Sequence, residues 1–297
     1  MQVSVFSPAK INLFLAITGR RPDGFHDLVS VVAPLDFGDE LEATSVERGS
    51  GTRFTLECSH PEVPTDGSNL VLKAAEAFAV AAGWETPVHF KLTKRIPPGA
   101  GLGGGSSNAV AALRALNQLA GNPLVAAQLA EVAAKLGSDC ALFLHSSAVV
   151  MRGRGEELEE LPVAALDRLH GRRILVFKPS FGIPTPWAYK QMIERGGDYL
   201  PSVDAEGRLA AWVQGTAPAE ELLFNNMEPA AFEKYAALPT LARRLQRGFG
   251  LKVAMSGSGS ACFVLLPEDS ADLVTRLKQA IGESWGRVTF VEEARLA

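Results

Sequence analysis

Val88-His89-Phe90-Lys91-Leu92-Thr93, followed after three residues by Pro97-Pro98-Gly99-Ala100-Gly101-Leu102-Gly103-Gly104-Gly105-Ser106-Ser107, is the stretch that decides the fold. Val88, Phe90 and Leu92 alternate with polar residues, the period of a half-buried strand. Beyond the glycines, Ala109, Val110, Leu113, Leu116 and Leu119 form one apolar stripe of a helix that Gly121-Asn122-Pro123 stops. A flexible linker seldom sits between a strand and an amphipathic helix. In that setting the glycines let backbone approach an anion, and the free N–H groups of the helix start donate to it. The run from Pro97 to Ser107 therefore reads as a phosphate cradle, with Ser106 and Ser107 expected to cap the helix and to contact phosphate or a magnesium ion. No Lys-Ser or Lys-Thr follows the glycines, so this is not a Walker loop, and no βαβ unit continues from them as a dinucleotide site requires. Positive charge has to come from elsewhere.

Ser7-Pro8-Ala9-Lys10-Ile11-Asn12-Leu13 can supply it. Lys10 and Asn12, two apart on a strand, project to one face, although a lysine on an exposed strand edge would look the same. Leu136-Gly137-Ser138-Asp139-Cys140 places an aspartate just past a helix end. Such a residue is commonly a turn former, and it is equally a carboxylate able to take a proton from a hydroxyl. Met255-Ser256-Gly257-Ser258-Gly259-Ser260 joins two apolar runs and reads either as a hairpin loop or as a second backbone cradle.

Around these motifs the chain reads as α+β. Strands are expected at 3–6, 11–17, 52–57, 148–151, 174–177, 252–255 and 261–266. Helices are expected at 70–82, behind Ser68-Asn69 as N-cap, and at 124–136, 186–194, 238–249 and 271–281. Residues 205–218 carry the least pattern and read as a loop. The charged, proline-containing connection 152–172 sets the expected boundary between domains 1–160 and 161–297. The 297 residues suffice for two domains, and 47% hydrophobic with 21% charged content belongs to a folded globular chain. A net charge of −4 argues against a general nucleic-acid binder. Three cysteines without a C-x-x-C pair signal neither zinc nor a disulfide framework, and fit a reducing compartment. With no long apolar span, a soluble cytoplasmic protein without membrane partners is expected.

Taken in order, the Pro-Ala-Lys-Ile-Asn start, the glycine run and the late Ser-Gly-Ser-Gly-Ser resemble the GHMP kinases over essentially the whole chain. The resemblance implies two domains, one like domain 2 of ribosomal protein S5 and a ferredoxin-like C-terminal one. It implies ATP as phosphoryl donor, used as its Mg2+ complex; no protein cage for the metal is visible in the sequence. Asp139 falls at the family's catalytic aspartate and Lys10 at its catalytic lysine. Pro98 to Asn108 would carry ATP, with Lys94 nearby and Asn69 as an adenine-side contact or simply a helix cap. Arg21-Pro22-Asp23-Gly24-Phe25-His26 and Ile183-Pro184-Thr185-Pro186 point within the family to a small acceptor, a cytidine diphosphate-linked methylerythritol. His26 would then read the cytosine edge, and Phe25 and Tyr189 would stack on the base or simply pack in the core. Asn12 and Thr185 would contact the erythritol or diphosphate, and Gly257, Ser258 and Gly259 would approach phosphate groups. Phe25, Cys140-Ala141 and Asn225-Asn226 depart from the commoner Tyr, Val-Pro and Asn-Asp. A homoserine or phosphomevalonate type of kinase, or a non-catalytic nucleotide-binding regulator, stands as the alternative.

Overall fold

The structure, a computed structural model, describes residues 1–47, 52–268, 271–286 and 288–297. It forms two compact units, each assembled from separated pieces of chain. The first comprises Met1–Ala9, Phe37–Pro98 and Gly103–Ser146, and the second Lys10–Asp36, Gly99–Leu102 and Ser147–Ala297. The expected single boundary at 160 is thus replaced by a discontinuous division. Its cause is two very long strands, β1 (Gln2–Arg20) and β2 (His26–Ser45), each giving one half to each unit.

In the first unit, β3 (Phe54–Cys58) pairs in parallel with β4 (Val88–Thr93), and β4 runs antiparallel to β2, with Leu41 opposite Leu92 and Ala43 opposite Phe90. Three helices complete it: α1 (Leu70–Ala82), α2 (Gly104–Leu119) and α3 (Ala126–Leu136). The alternation legible at 88–93 is the burial pattern observed, with Val88, Phe90 and Leu92 at most 1% exposed. Phe78 of α1 and Leu113 and Leu116 of α2 are fully buried as well. Each large apolar side chain so removed from water contributes about 1.5–3 kcal/mol. Helix α1 begins where the sequence places it. Asn69 Oδ1 accepts the Val71 N–H at 2.9 Å, and Gly83 closes the helix in the left-handed region.

In the second unit, β8 (Phe224–Asn225) pairs in parallel with β1. There β2 pairs with β5 (Val149–Arg152), which turns back as β6 (Glu157–Glu160). A four-stranded antiparallel sheet has the order β11-β7-β10-β9, from β7 (Arg173–Lys178), β9 (Ala254–Met255), β10 (Cys262–Leu265) and β11 (Phe290–Arg295). The helices are α4 (Val163–Leu166), α5 (Thr185–Arg195), α6 (Ser202–Gln214), α7 (Ala219–Leu222), α8 (Glu228–Lys234), α9 (Ala237–Phe249) and α10 (Ala271–Trp285). Helix α6 corrects the loop reading over 205–214, while 215–218 stays outside any helix or strand. Ala205, Leu209 and Trp212, spaced by four and three, are buried along one side, a stripe that Gly207 and the intervening charges obscure in the sequence. The mixture of helix and strand without regular βαβ alternation is the α+β class expected. Among the described residues no helix is long and apolar enough to cross a membrane.

Candidate active site

The glycine run does two different jobs. Gly99–Leu102 belongs to the second unit, where three of its carbonyls are already engaged. Leu102 O accepts the Lys10 N–H at 3.0 Å, Ala100 O accepts the Ala261 N–H at 3.0 Å, and Gly101 O accepts the Ser256 hydroxyl at 3.0 Å. Gly101 has φ +78°, and a Cβ there would lie 2.3 Å from Ser256 O, so only glycine permits this approach. The remainder, from Gly103, opens α2. Gly103 is the N-cap with no side-chain cap bond, and the first-turn N–H groups have no acceptor within the helix. A helix end of this kind suits an anion.

Ser106 and Ser107 depart from the cap role expected of them. They lie inside the helix, and Ser107, 1% exposed, accepts the Ser7 hydroxyl at 2.8 Å. The Ser106 hydroxyl bonds the Cys140 thiol, which burial pushes up to about 11, so Cys140 is no nucleophile near neutrality. Neither serine is placed to cap the helix, and no group of three or more His, Cys, Asp or Glu able to hold a metal exists among the described residues.

Lys10, Asn12 and the second glycine loop meet in the second unit. Lys10 Nζ, on a side chain 5% exposed, donates to Asn12 Oδ1 at 2.7 Å, and Asn12 Nδ2 donates to Ser30 Oγ at 2.9 Å. The edge-lysine reading is thereby excluded, since this ammonium is buried and aimed inward. Gly257 has φ +58°, and a Cβ on it would stand 3.5 Å from both Lys10 Nζ and Asn12 Oδ1. Backbone of the loop thus packs directly against the ammonium, a corner with positive charge and peptide dipoles suited to an anion. Thr185 Oγ1 and Ser258 Oγ lie 3.0 Å apart, uniting two residues assigned separately to substrate.

Sequence reasoning missed the residues that hold this loop. Asn225 Nδ2 donates to both Met255 O and Gly257 O at 2.8 Å, and the Glu228 carboxylate accepts the Met255 N–H at 2.8 Å. Burial drives the Glu228 carboxyl up to about 7 against the lowering pull of that N–H and of Lys252. Both border a cavity of about 470 Å³ lined also by Phe224, Asn226, Phe232 and Lys252. An Asn-Asn pair between helices carries no local signal of such a role.

In the first unit Asp139 sits, half-buried, in the turn between α3 and the short 3-10 segment Ala141–Leu144. Lys94 is not left open for a ligand. Its Nζ bonds the Asp39 carboxylate and also Asn108 Oδ1 at 3.3 Å. Asn69 spends its amide on the α1 cap and on Pro64 O at 2.6 Å, so of its two readings the cap is the one observed.

His26, 7% exposed, stacks on Tyr189 with centroids 4.9 Å apart, and its Nε2 lies 3.1 Å from the hydroxyl of Tyr199. Burial, assisted by Arg20, lowers the His26 pKa, keeping the ring neutral. Tyr189 therefore packs on His26 itself. Phe25 is 55% exposed with the Arg154 guanidinium 4.9 Å above its ring, which excludes core packing as its role. Tyr199 lies in a proline-flanked connection without periodicity, where the sequence carries no signal of its contact with His26.

This geometry can be set beside known proteins. Residues 69–147 match the model of the GHMP kinases N terminal domain, and 214–282 that of the GHMP kinases C terminal. The 4-diphosphocytidyl-2-C-methyl-D-erythritol kinase of Methylacidiphilum infernorum (isolate V4) is 38% identical over 98% of this chain and 97% of its own. The protein of that name from Synechococcus sp. (strain CC9902) is 37% identical over 99% of both chains. A crystal structure of 4-(cytidine 5'-diphospho)-2C-methyl-D-erythritol kinase superposes with a TM-score of 0.77 at 34% identity, covering 99% of this chain and 100% of that one. A homoserine kinase from Cytophaga hutchinsonii, 19% identical with a TM-score of 0.72, covering 99% of this chain and 95% of its own, shares the fold. On these matches the chain belongs to the GHMP kinases and is a phosphotransferase. Within that family its extended likeness is to the kinases that bear the cytidyl-erythritol name.

Proposed function

We propose that this protein transfers the γ-phosphoryl group of ATP to the 2-hydroxyl of 4-diphosphocytidyl-2-C-methyl-D-erythritol, a step of non-mevalonate isoprenoid precursor biosynthesis. The observation that carries the reading is the packing of the Gly257 backbone on the Lys10 ammonium, which Asn12 holds. Phosphoryl transfer asks a protein mainly for positioning and for charge where charge develops. Lys10 supplies that charge, and Asp139 accepts the proton of the attacking hydroxyl. The N-terminus of α2 binds ATP phosphates through its unpaired N–H groups. Mg2+ enters with ATP and is held by the phosphates. His26 reads the cytosine edge, with Tyr199 fixing its ring and Phe25 offering an exposed aromatic face. Thr185 and Ser258 address the diphosphate or erythritol. The work is that of a cytoplasmic enzyme.

Purified protein, ATP and magnesium assayed against a panel of alcohols test this reading. Turnover is expected to be highest with the cytidyl-linked alcohol. Preference for homoserine, phosphomevalonate or any acceptor lacking the cytidyl group would overturn it.

A further inference from the structure

Within the first unit, α2 and the strand that leads to it are joined by a carboxylate to which no role has been assigned. Asp39, in β2, is completely buried. Its Oδ1 accepts the backbone N–H groups of Arg95 at 2.7 Å and Ile96 at 2.8 Å, where β4 leaves for the glycine run. Its Oδ2 accepts Lys94 Nζ and, at 2.8 Å, Asn108 Nδ2 from the second turn of α2. Four donors saturate the four acceptor positions of an ionised carboxylate. Asn108 continues the network. It accepts from Lys94 and donates to Ser7 Oγ at 2.8 Å, and Ser7 in turn donates to Ser107.

Two further features fit this arrangement. A Cβ at Gly38 would lie 2.2 Å from Ser7 O, so glycine is needed to bring β2, and Asp39 with it, this close to β1. A Cβ at Gly104, the first residue of α2, would lie 3.1 Å from both Lys94 Nζ and Ile96 Cγ2. The helix N-terminus thus rests on the side chain that Asp39 holds.

We propose that Asp39 is a positioning residue for the nucleotide. It fixes the chain on either side of the glycine run, at 95–96 and at 107–108, and pins the Lys94 ammonium beside the first turn of α2. Asp39 touches no substrate; it acts through the placement of the N–H groups that do. The proposal rests on the reading that α2 binds ATP phosphates. It assigns Lys94 a supporting part, neutralised by Asp39, in place of a free phosphate contact.

Asp39→Asn is the direct test. An amide oxygen offers two acceptor positions where four donors wait, and its NH2 faces Lys94 and Asn108, themselves donors. Asn108→Ala is the milder companion, cutting the link between Asp39 and α2 together with the bonds of Asn108 to Lys94 and Ser7, and leaving the carboxylate three partners. Kd for ATP, KM for ATP and KM for the alcohol are measured for wild type and both variants, with thermal unfolding to confirm folded protein. Asn108→Ala is expected to raise KM and Kd for ATP about 3- to 10-fold, and Asp39→Asn at least about 10-fold, with KM for the alcohol within about twofold. Unchanged ATP affinity in Asn108→Ala, or loss of turnover with both KM values unaltered, would overturn the role of Asp39 while leaving the kinase reading intact. Wild-type protein that binds no ATP would overturn both.

Discussion

The ammonium of Lys10 and the side-chain oxygen of Asn12 are joined at 2.7 Å along one face of a single strand, with a glycine loop packed against both. A strand repeats its side-chain direction every two residues, so the pair is set by backbone geometry before any substrate arrives. Asn12 keeps the lysine from folding back, and its other amide atom is tied to Ser30, which itself donates to Phe14 O.

Lys10→Ala is therefore expected to cut turnover by at least about 10³ while ATP still binds, since the charge lost is one needed where negative charge develops. Asp139→Asn should do the same by removing the proton acceptor. Single-turnover kinetics beside equilibrium ATP binding separate the two effects, and near-normal turnover in either variant contradicts the proposed roles.

Gly101 and Gly105 should respond to alanine in opposite ways. Gly101→Ala forces a side chain into Ser256 O at a left-handed φ, and should cost about 2 kcal/mol of stability or more. Gly105 lies in α2, where an added Cβ would meet Leu70 Cδ1 at an ordinary 3.8 Å. Gly105→Ala should therefore be neutral or gain up to about 1 kcal/mol. Urea unfolding measures both. If Gly105→Ala weakens ATP while leaving stability untouched, the first turn of α2 meets the nucleotide through bare backbone.

Tyr199→Phe removes the hydroxyl that stands 3.1 Å from His26 Nε2 and keeps the ring stacked nearby. A lost hydrogen bond of about 1 kcal/mol predicts a KM for the cytidyl substrate raised about 3- to 10-fold, with KM for ATP unmoved. A change confined to ATP would place His26 away from the base.

Glu228 makes stability depend on pH. Its carboxyl titrates near 7 in the folded chain, against about 4.5 in the ordinary range, because burial opposes its charge. Between those values the folded state holds more protons than the unfolded one, so this contribution is full below about pH 4.5 and is lost as pH rises through 7. The groups facing it are Lys252 and the Cys262 thiol, the latter driven far up by burial. Glu228→Gln keeps an acceptor for the Met255 N–H and should be more stable than wild type at pH 8, by on the order of 1 kcal/mol. Melting temperatures at pH 5 and pH 8 check this. A variant that melts below wild type at pH 8 would show the charge to be favourable.

What can be read from the chain alone follows the reach of each signal. Helix α1 is legible to the residue because cap, stripe and terminal glycine lie within a short run of chain. The strand, the glycine run and the helix after it are legible for the same reason. Asp39 is not, since its partners stand 55 to 69 residues away and, among Asp36, Glu40 and Glu42, it looks like one more acid of a strand edge. Asn225 and Glu228 are hidden likewise, working on backbone some thirty residues ahead. Helix α6 is masked by composition, not distance, as a glycine and several charges break up a stripe of three apolar residues. The motif residues announce the chemistry, and the residues that aim them are visible only in three dimensions.

The long strands β1 and β2 carry a consequence for biosynthesis. In the second unit Phe14 pairs with Phe224, Ile17 O accepts the Leu200 N–H, and Leu35 bridges to Leu296. Phe14, Ile17 and Leu35 thus meet these partners only after roughly 180 to 260 more residues have been made. At about 5–20 residues per second the nascent segment 10–36, with Ile11, Leu13 and Ile17 all destined to be buried, waits for tens of seconds. Its apolar side chains are then open to chaperones, and to one another across a polysome, until those later partners emerge.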